Sequence, residues 1–372
     1  MTPVPVTIGG PADRPALFCR LPFTEVSIDE FGEVWPNCCP DWVDVSLGNL
    51  TRQGWDEVWN GPAAQALRRS AHDGTLRHCD RGWCPHIQAA LAGEADHRVR
   101  PLGEQEALDL PEAALRGEVV VETGPENVGM HYEQSCNLAC PTCRDAVYVV
   151  GGPEAEALRA VHDVVEAEVL RYPRAISLTG AGDPFASKVL RDFLIGFDRA
   201  RFPSIETIHL HTNAVLWTPR LWARMRGLHE VEVTTDVSID AARPETYRRV
   251  RPPADWDQLL DNLAFIGTIP NVASIGISMV VSQANLDELC EFHDLGRRLH
   301  ATSARFTFVE YKQVRRRWHH DDATWARMGL EHLDGPQQLV LGAQLRRLRE
   351  RRRAGLVPEI RSNLDEVAAA LG

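Results

Sequence analysis

The chain has 372 residues, a formal net charge of −12, 44% hydrophobic and 25% charged residues. That is a globular composition, long enough for one large or two medium domains. The acidic balance argues against nucleic acid as a partner, and no apolar run nears the roughly 18–20 residues that span a bilayer. The opening MTPVPVTIGG lacks the charged and apolar regions of a signal peptide, so a cytoplasmic protein with no membrane partner is expected.

Residues before about 110 hold few long periodic helices and many Gly, Pro and Asp turns. Five of the ten tryptophans lie there, at positions 35, 42, 55, 59 and 83. So do five of the nine cysteines: Cys19, Cys38, Cys39, Cys79 and Cys84. Such a segment is short of core and would benefit from a metal staple. Thiols clustered in a reducing compartment read as metal ligands before disulfides. Residues 101–118 read as a linker.

From 119 to 312 strand-like and helix-like segments alternate. Strands are expected at 128–134, 175–179, 206–212, 229–240, 274–281 and 304–311, with helices at 153–172, 218–225, 255–267 and 285–300. Repeated βα units predict an α/β fold with a parallel sheet, either an open barrel or a two-sided sheet. The segments CNLACPTC, TGAGDP, HTNA and SIDA each follow a strand. In a parallel barrel those strand ends open on the face that carries the active site. Residues 313–372 read as a C-terminal helical extension. Seven arginines fall in 341–361, a pattern that reads first as a solvated helix face.

The first of those loops, SCNLACPTCR, places Cys136, Cys140 and Cys143 together. Structural zinc takes four ligands, usually as two CxxC knuckles. This loop offers three, with His131 five residues upstream. An iron–sulfur cube also takes four thiolates, so three of them leave one iron open.

A CxxxCxxC loop after a first strand resembles the radical S-adenosylmethionine (SAM) superfamily, whose fold would be a partial (β/α)6 TIM-like barrel. The resemblance implies that Cys136, Cys140 and Cys143 hold a [4Fe-4S] cluster whose open iron chelates the amino and carboxylate groups of SAM. An electron, from a flavodoxin or ferredoxin-type donor, would cleave SAM to methionine and a 5′-deoxyadenosyl radical that takes a substrate hydrogen atom. Gly180, Ala181, Gly182 and Asp183 are similar to the family's Gly-Gly-Glu-Pro turn. Thr212 and Asn213 match its Thr-Asn turn, and Ser238 and Asp240 its Ser-x-Asp segment. The last two pairs read equally as caps, and Asn285 reads as a helix cap. Thr142 departs from the pattern, because the family usually has an aromatic residue there.

Residues 19–85 resemble the SPASM or twitch module of the same superfamily, here placed before the barrel. The shared features are a first cysteine, a strand–turn–strand around Gly32-Glu33-Val34, a further cysteine, the Leu-Gly-Asn-Leu of 47–50, a tryptophan helix and a closing cysteine pair. The resemblance implies an auxiliary [4Fe-4S] cluster on Cys19, Cys38, Cys79 and Cys84, with Cys39 as alternate to Cys38. A zinc ribbon is the plainer alternative. The expected domains are 1–100 for this module and 119–312 for the barrel.

The expected function is a radical SAM oxidoreductase acting on a small sugar-, aminocyclitol- or nucleoside-like substrate. Alternatives are a peptide maturase, an epimerase and a zinc-stapled binding protein. Cys290, within LDELCEF, reads as a small buried apolar residue, and as a hydrogen-atom donor only in the epimerase.

Overall fold

The computed structural model describes residues 15–37, 42–94, 96–178, 182–308 and 322–362. The chain divides into two compact units, residues 1–132 with 158–176, and residues 133–157 with 177–372. No helix among the described residues is long and apolar enough to cross a membrane.

In the first unit, β1 (Leu17–Cys19) leads through a short turn to β2 (Glu25–Ile28), β3 (Glu33–Trp35) and β4 (Gly48–Asn49). The β2–β3 hairpin turns where Asp29 accepts from the backbone of Phe31 at 2.9 Å and of Glu33 at 3.0 Å. The indole of Trp35 donates to the same carboxylate at 2.9 Å. Asn49 then clamps the returning strand, donating to the Phe31 carbonyl and the Glu33 carboxylate, both at 2.9 Å. The helix Trp55–Trp59 stacks its two indoles 5.5 Å apart. Val99–Pro101 forms β5, antiparallel to β1, and Asn127–Met130 forms β6, parallel to β2.

The second unit carries the parallel sheet. β7 (Ala175–Leu178) begins in the first unit and ends in the second, where β8 (Thr207–Thr212), β9 (Glu232–Ser238), β10 (Val272–Val281), β11 (Ser303–Phe308) and β12 (Glu359–Ser362) lie side by side in chain order. Every neighbouring pair from β8 onward is parallel. This is the expected α/β architecture, with helices such as Trp256–Ile266 and Leu289–Arg298 between strands. The C-terminal extension is helical over Gly335–Arg353 and then departs from expectation, adding β12 beside β11. The end of the sixth predicted strand, residues 309–311, lies outside the described residues.

One face of the sheet is apolar and the other is not. Ile208, Leu210, Val233, Val237, Ile277, Met279, Ala304 and Phe306 are fully buried. Phe292 of the Leu289–Arg298 helix packs edge-on against Phe306 at 5.6 Å, which places that helix on the apolar face. The alternate positions are His209, His211, Thr234, Asp236, Ser238, Ser278 and Arg305, all half-buried or exposed. A parallel sheet covered on both faces would be apolar on both. The polar stripe therefore marks a face that is not packed as the apolar one is.

Candidate active site

The cysteine loop is held from several sides. The Cys136 N–H donates to the Tyr148 carbonyl at 2.8 Å, and the Ala139 N–H to the Pro252 carbonyl at 2.7 Å. Cys143 and Arg144 fold back onto the Cys140 carbonyl at 2.8 and 2.9 Å. Upstream, the buried Glu133 accepts from the Ser135 N–H at 2.8 Å and from the Ser187 hydroxyl.

Asp183 joins this loop to β8. Its N–H donates to the Ser135 carbonyl at 2.8 Å. One carboxylate oxygen accepts from the Phe185 N–H at 3.0 Å, the other from the Thr212 hydroxyl at 2.7 Å and the Asn213 N–H at 2.8 Å. Burial pushes its carboxyl above the ordinary range, against the pull of those hydrogen bonds. Gly182 has no room for a side chain, since a Cβ there would lie 2.5 Å from the Ser135 carbonyl oxygen. Gly180 and Ala181 lie outside the described residues. Asn213 donates to the Asn137 side chain at 3.0 Å and lies 3.8 Å from the Cys136 sulfur.

Asp240 sits in the left-handed region, at φ 60°, just past β9. It accepts from the Val280 N–H at 2.7 Å and pairs with Arg251 at 2.6 Å. Burial opposes the charge on Arg251, but Asp240 outweighs it and holds the guanidinium protonated. Ser238 accepts or shares a proton with His211 at 2.9 Å and lies 3.3 Å from Ser278. Asn285 departs from the expected helix cap. The helix starts at Leu289, and Asn285 instead donates to the carbonyls of Asp240 at 2.8 Å and Val280 at 2.9 Å.

The thiols fit a cluster. No disulfide involves the described cysteines. Burial pushes Cys140 up to about 11, with Arg251 opposing, and Cys136 also upward, each thiol adding to its neighbours' cost of ionising. Thiols so placed become thiolates when cations bind them. Among the described residues no three His, Cys, Asp or Glu side chains gather as tightly as a single metal ion requires. A cube places each thiolate on a different iron and accepts a wider set.

The first unit shows the same pattern. Cys19 ends β1, Cys79 bridges to Val43, and Cys84 caps the Pro85–Leu91 helix. Burial pushes Cys19 upward and Cys79 up to about 12, and the charges of these three thiols repel one another. Cys38 and Cys39 lie outside the described residues. Cys290 packs between helices, its thiol 3.9 Å from the Gln344 carbonyl, on the helix whose Phe292 covers the apolar face.

Six residues of the polar face escaped the sequence reading: His209, His211, Thr234, Asp236, Ser278 and Arg305. His209 hydrogen-bonds Thr234 at 2.9 Å and lies 3.8 Å from Asp236, which lies 3.6 Å from Arg305. Gly276 makes space for this carboxylate, since a Cβ there would meet Asp236 at 1.9 Å. The alternation in ETIHLHT was the signal for the two histidines, because polar residues every second position are out of place in a central parallel strand.

The parallel α/β sheet, the three-cysteine loop and the cysteine-rich first unit are the features by which the chain resembles the radical SAM superfamily and its SPASM module. Residues 19–85 match SPASM, an iron-sulfur cluster-binding domain. The chain is 29% identical over 173 residues to the mycofactocin maturase MftC of Mycobacterium tuberculosis and to that of Mycolicibacterium smegmatis. Each match covers 45% of this chain and 41% of the relative, so less than half of the relatives' length is spanned. Among solved structures, Streptococcus suis SuiB bound to precursor peptide SuiA is similar at TM-score 0.43 and 14% identity, over 95% of this chain and 73% of that one. The anSMEcpe structure with bound AdoMet is similar at TM-score 0.43 and 16% identity, over 63% of each chain.

Proposed function

We propose that this chain is a radical SAM enzyme that modifies a peptide. The observation that carries the peptide reading is the similarity to a maturase over 173 residues, in a chain that also carries the SPASM module. It takes precedence over the expected sugar- or nucleoside-like substrate. Residues 119–312 would be the catalytic barrel and 1–100 the auxiliary module.

Cys136, Cys140 and Cys143 would hold the SAM-binding [4Fe-4S] cluster, and Cys19, Cys79, Cys84 and Cys38 or Cys39 the auxiliary one. When bound, cluster and SAM supply abstraction of a substrate hydrogen atom, and the auxiliary cluster supplies an electron acceptor. The chain's own contribution is placement. Asp183 fixes the turn of 182–185 against the cysteine loop and the end of β8, leaving the backbone of that turn and the Asn213 amide to meet SAM. Ser238, Asp240 and Arg251 border the same strand ends. The polar stripe of His209, His211, Asp236, Ser278 and Arg305 would orient the peptide. Burial keeps both imidazoles neutral near pH 7, lowering His211 to about 4 and His209 below its ordinary range. They therefore offer hydrogen bonds without adding charge. Cys290, between two helices, takes no part.

The test is anaerobic reconstitution with iron and sulfide, followed by incubation with SAM, a low-potential reductant and a panel of short ribosomal precursor peptides. About eight irons per chain, falling to about four in Cys136→Ala/Cys140→Ala/Cys143→Ala, is the expected result. SAM cleavage stimulated by one peptide, with a mass change in it, supports the peptide reading. Cleavage that no peptide stimulates returns the substrate to the small-molecule class, and zinc in place of iron removes the radical chemistry.

A further inference from the structure

Tyr247 is fully buried, at 0% exposure, and its hydroxyl has no hydrogen-bond partner. Its ring packs edge-on against Trp256 at 5.3 Å, a contact a phenylalanine would make equally well. An unpaired buried hydroxyl is costly, so its presence calls for an acceptor that the protein alone does not supply. The groups around it narrow the choice. Tyr247 senses the charges of Arg251, Cys140, Asp240 and Asp255. Asp240 is already engaged by Arg251 and the Val280 N–H. Asp255 caps its own helix by accepting from the Gln258 N–H at 2.9 Å. Arg251 can only donate. The Cys140 thiol takes no bond from the tyrosine hydroxyl either, though the loop bearing Cys140 is tied to this segment by the Ala139 to Pro252 hydrogen bond.

Resting on the proposed cluster at Cys136, Cys140 and Cys143, we infer that the Tyr247 hydroxyl donates a hydrogen bond to a sulfide that this cluster would bring, and raises the cluster's reduction potential. Reduction adds negative charge to the cluster, and a donor aimed at its sulfur stabilises the reduced form more than the oxidised one. Tyr247 is thus a tuning residue that acts through the cluster, with no role in touching the substrate.

The test is an EPR-monitored redox titration of the reconstituted chain, taking the SAM-binding cluster as the signal that changes on SAM addition. Tyr247→Phe keeps the ring and its Trp256 contact. The expected result is unchanged iron and sulfide per chain with a more negative midpoint for the SAM-responsive signal and an unmoved one for the other. In a second variant, Tyr247→3-fluorotyrosine, the more acidic hydroxyl keeps its shape and moves the same midpoint to more positive values. An unmoved midpoint in the fluorinated variant, or in Tyr247→Phe at full iron content, overturns the inference. A wild-type chain that shows no SAM-responsive cluster instead overturns the reading beneath it.

Discussion

The Arg251 guanidinium lies 2.6 Å from the Asp240 carboxylate, with both side chains buried beside Cys140. Removing one partner of such a pair leaves the other charged in a poorly solvated place. Asp240→Ala is expected to destabilise the chain by about 3–5 kcal/mol. Urea unfolding of the metal-free chain measures this. A loss under 1 kcal/mol would mean that Arg251 finds water or another acceptor.

Asp183 is the acidic residue of the turn expected to meet SAM, yet both its oxygens accept from the protein. Asp183→Asn brings an amide N–H₂ against donors on at least one side. A stability loss of about 1–3 kcal/mol is expected. SAM affinity, read by calorimetry on reconstituted protein, should fall with it. Weakened SAM binding at unchanged stability would instead show the carboxylate reaching the ligand directly.

What could be read from the sequence was local. The cysteine spacing, the Gly32-Glu33-Val34 hairpin and the strand order are set within a few residues of one another. The ends of elements were less legible. The predicted 153–172 helix is α-helical over Gly152–Val164 and then widens over Val165–Val169. The predicted strand of 128–134 stops at Met130, ahead of the buried turn that Glu133 organises. Side-chain direction was least legible. Nothing in GAGDP tells that its carboxylate faces Thr212, 29 residues on. Arg251 follows two other arginines in YRRVR, and only folding selects it for Asp240.

In the first unit, Arg68 is a buried cation with no carboxylate in its hydrogen bonds. It donates to the Pro22 and Val119 carbonyls and to the Asn60 side chain, each at 2.9 Å, and stacks 4.4 Å over Trp59. Burial lowers it to about 9, still above physiological pH. Arg68→Ala removes the guanidinium from the Pro22 and Val119 carbonyls and leaves Asn60 only the Val121 N–H, and is expected to cost on the order of 3 kcal/mol. Limited proteolysis should then cut residues 19–85 faster than wild type. Equal cutting rates would show that these segments hold together without it.

His211 gives the chain a pH dependence whose sign is fixed. Its ordinary value of 6.5 falls to about 4 in the folded protein, chiefly through burial. Between those values the unfolded chain binds a proton that the folded chain does not, so acidification favours unfolding. The contribution is whole above pH 6.5, declines as pH falls and is spent below about 4. A depression of this size is worth at most about 3 kcal/mol. His209 and His293 are depressed in the same direction, again mainly by burial, and add to the slope. His211→Asn keeps a hydrogen bond to Ser238 without the titration. Its loss of stability between pH 6.5 and 5, followed by thermal unfolding of the metal-free chain, should be shallower than that of the wild type. Parallel curves for the two would mean that His211 is protonated in the fold, paired with Asp236 across the strand register.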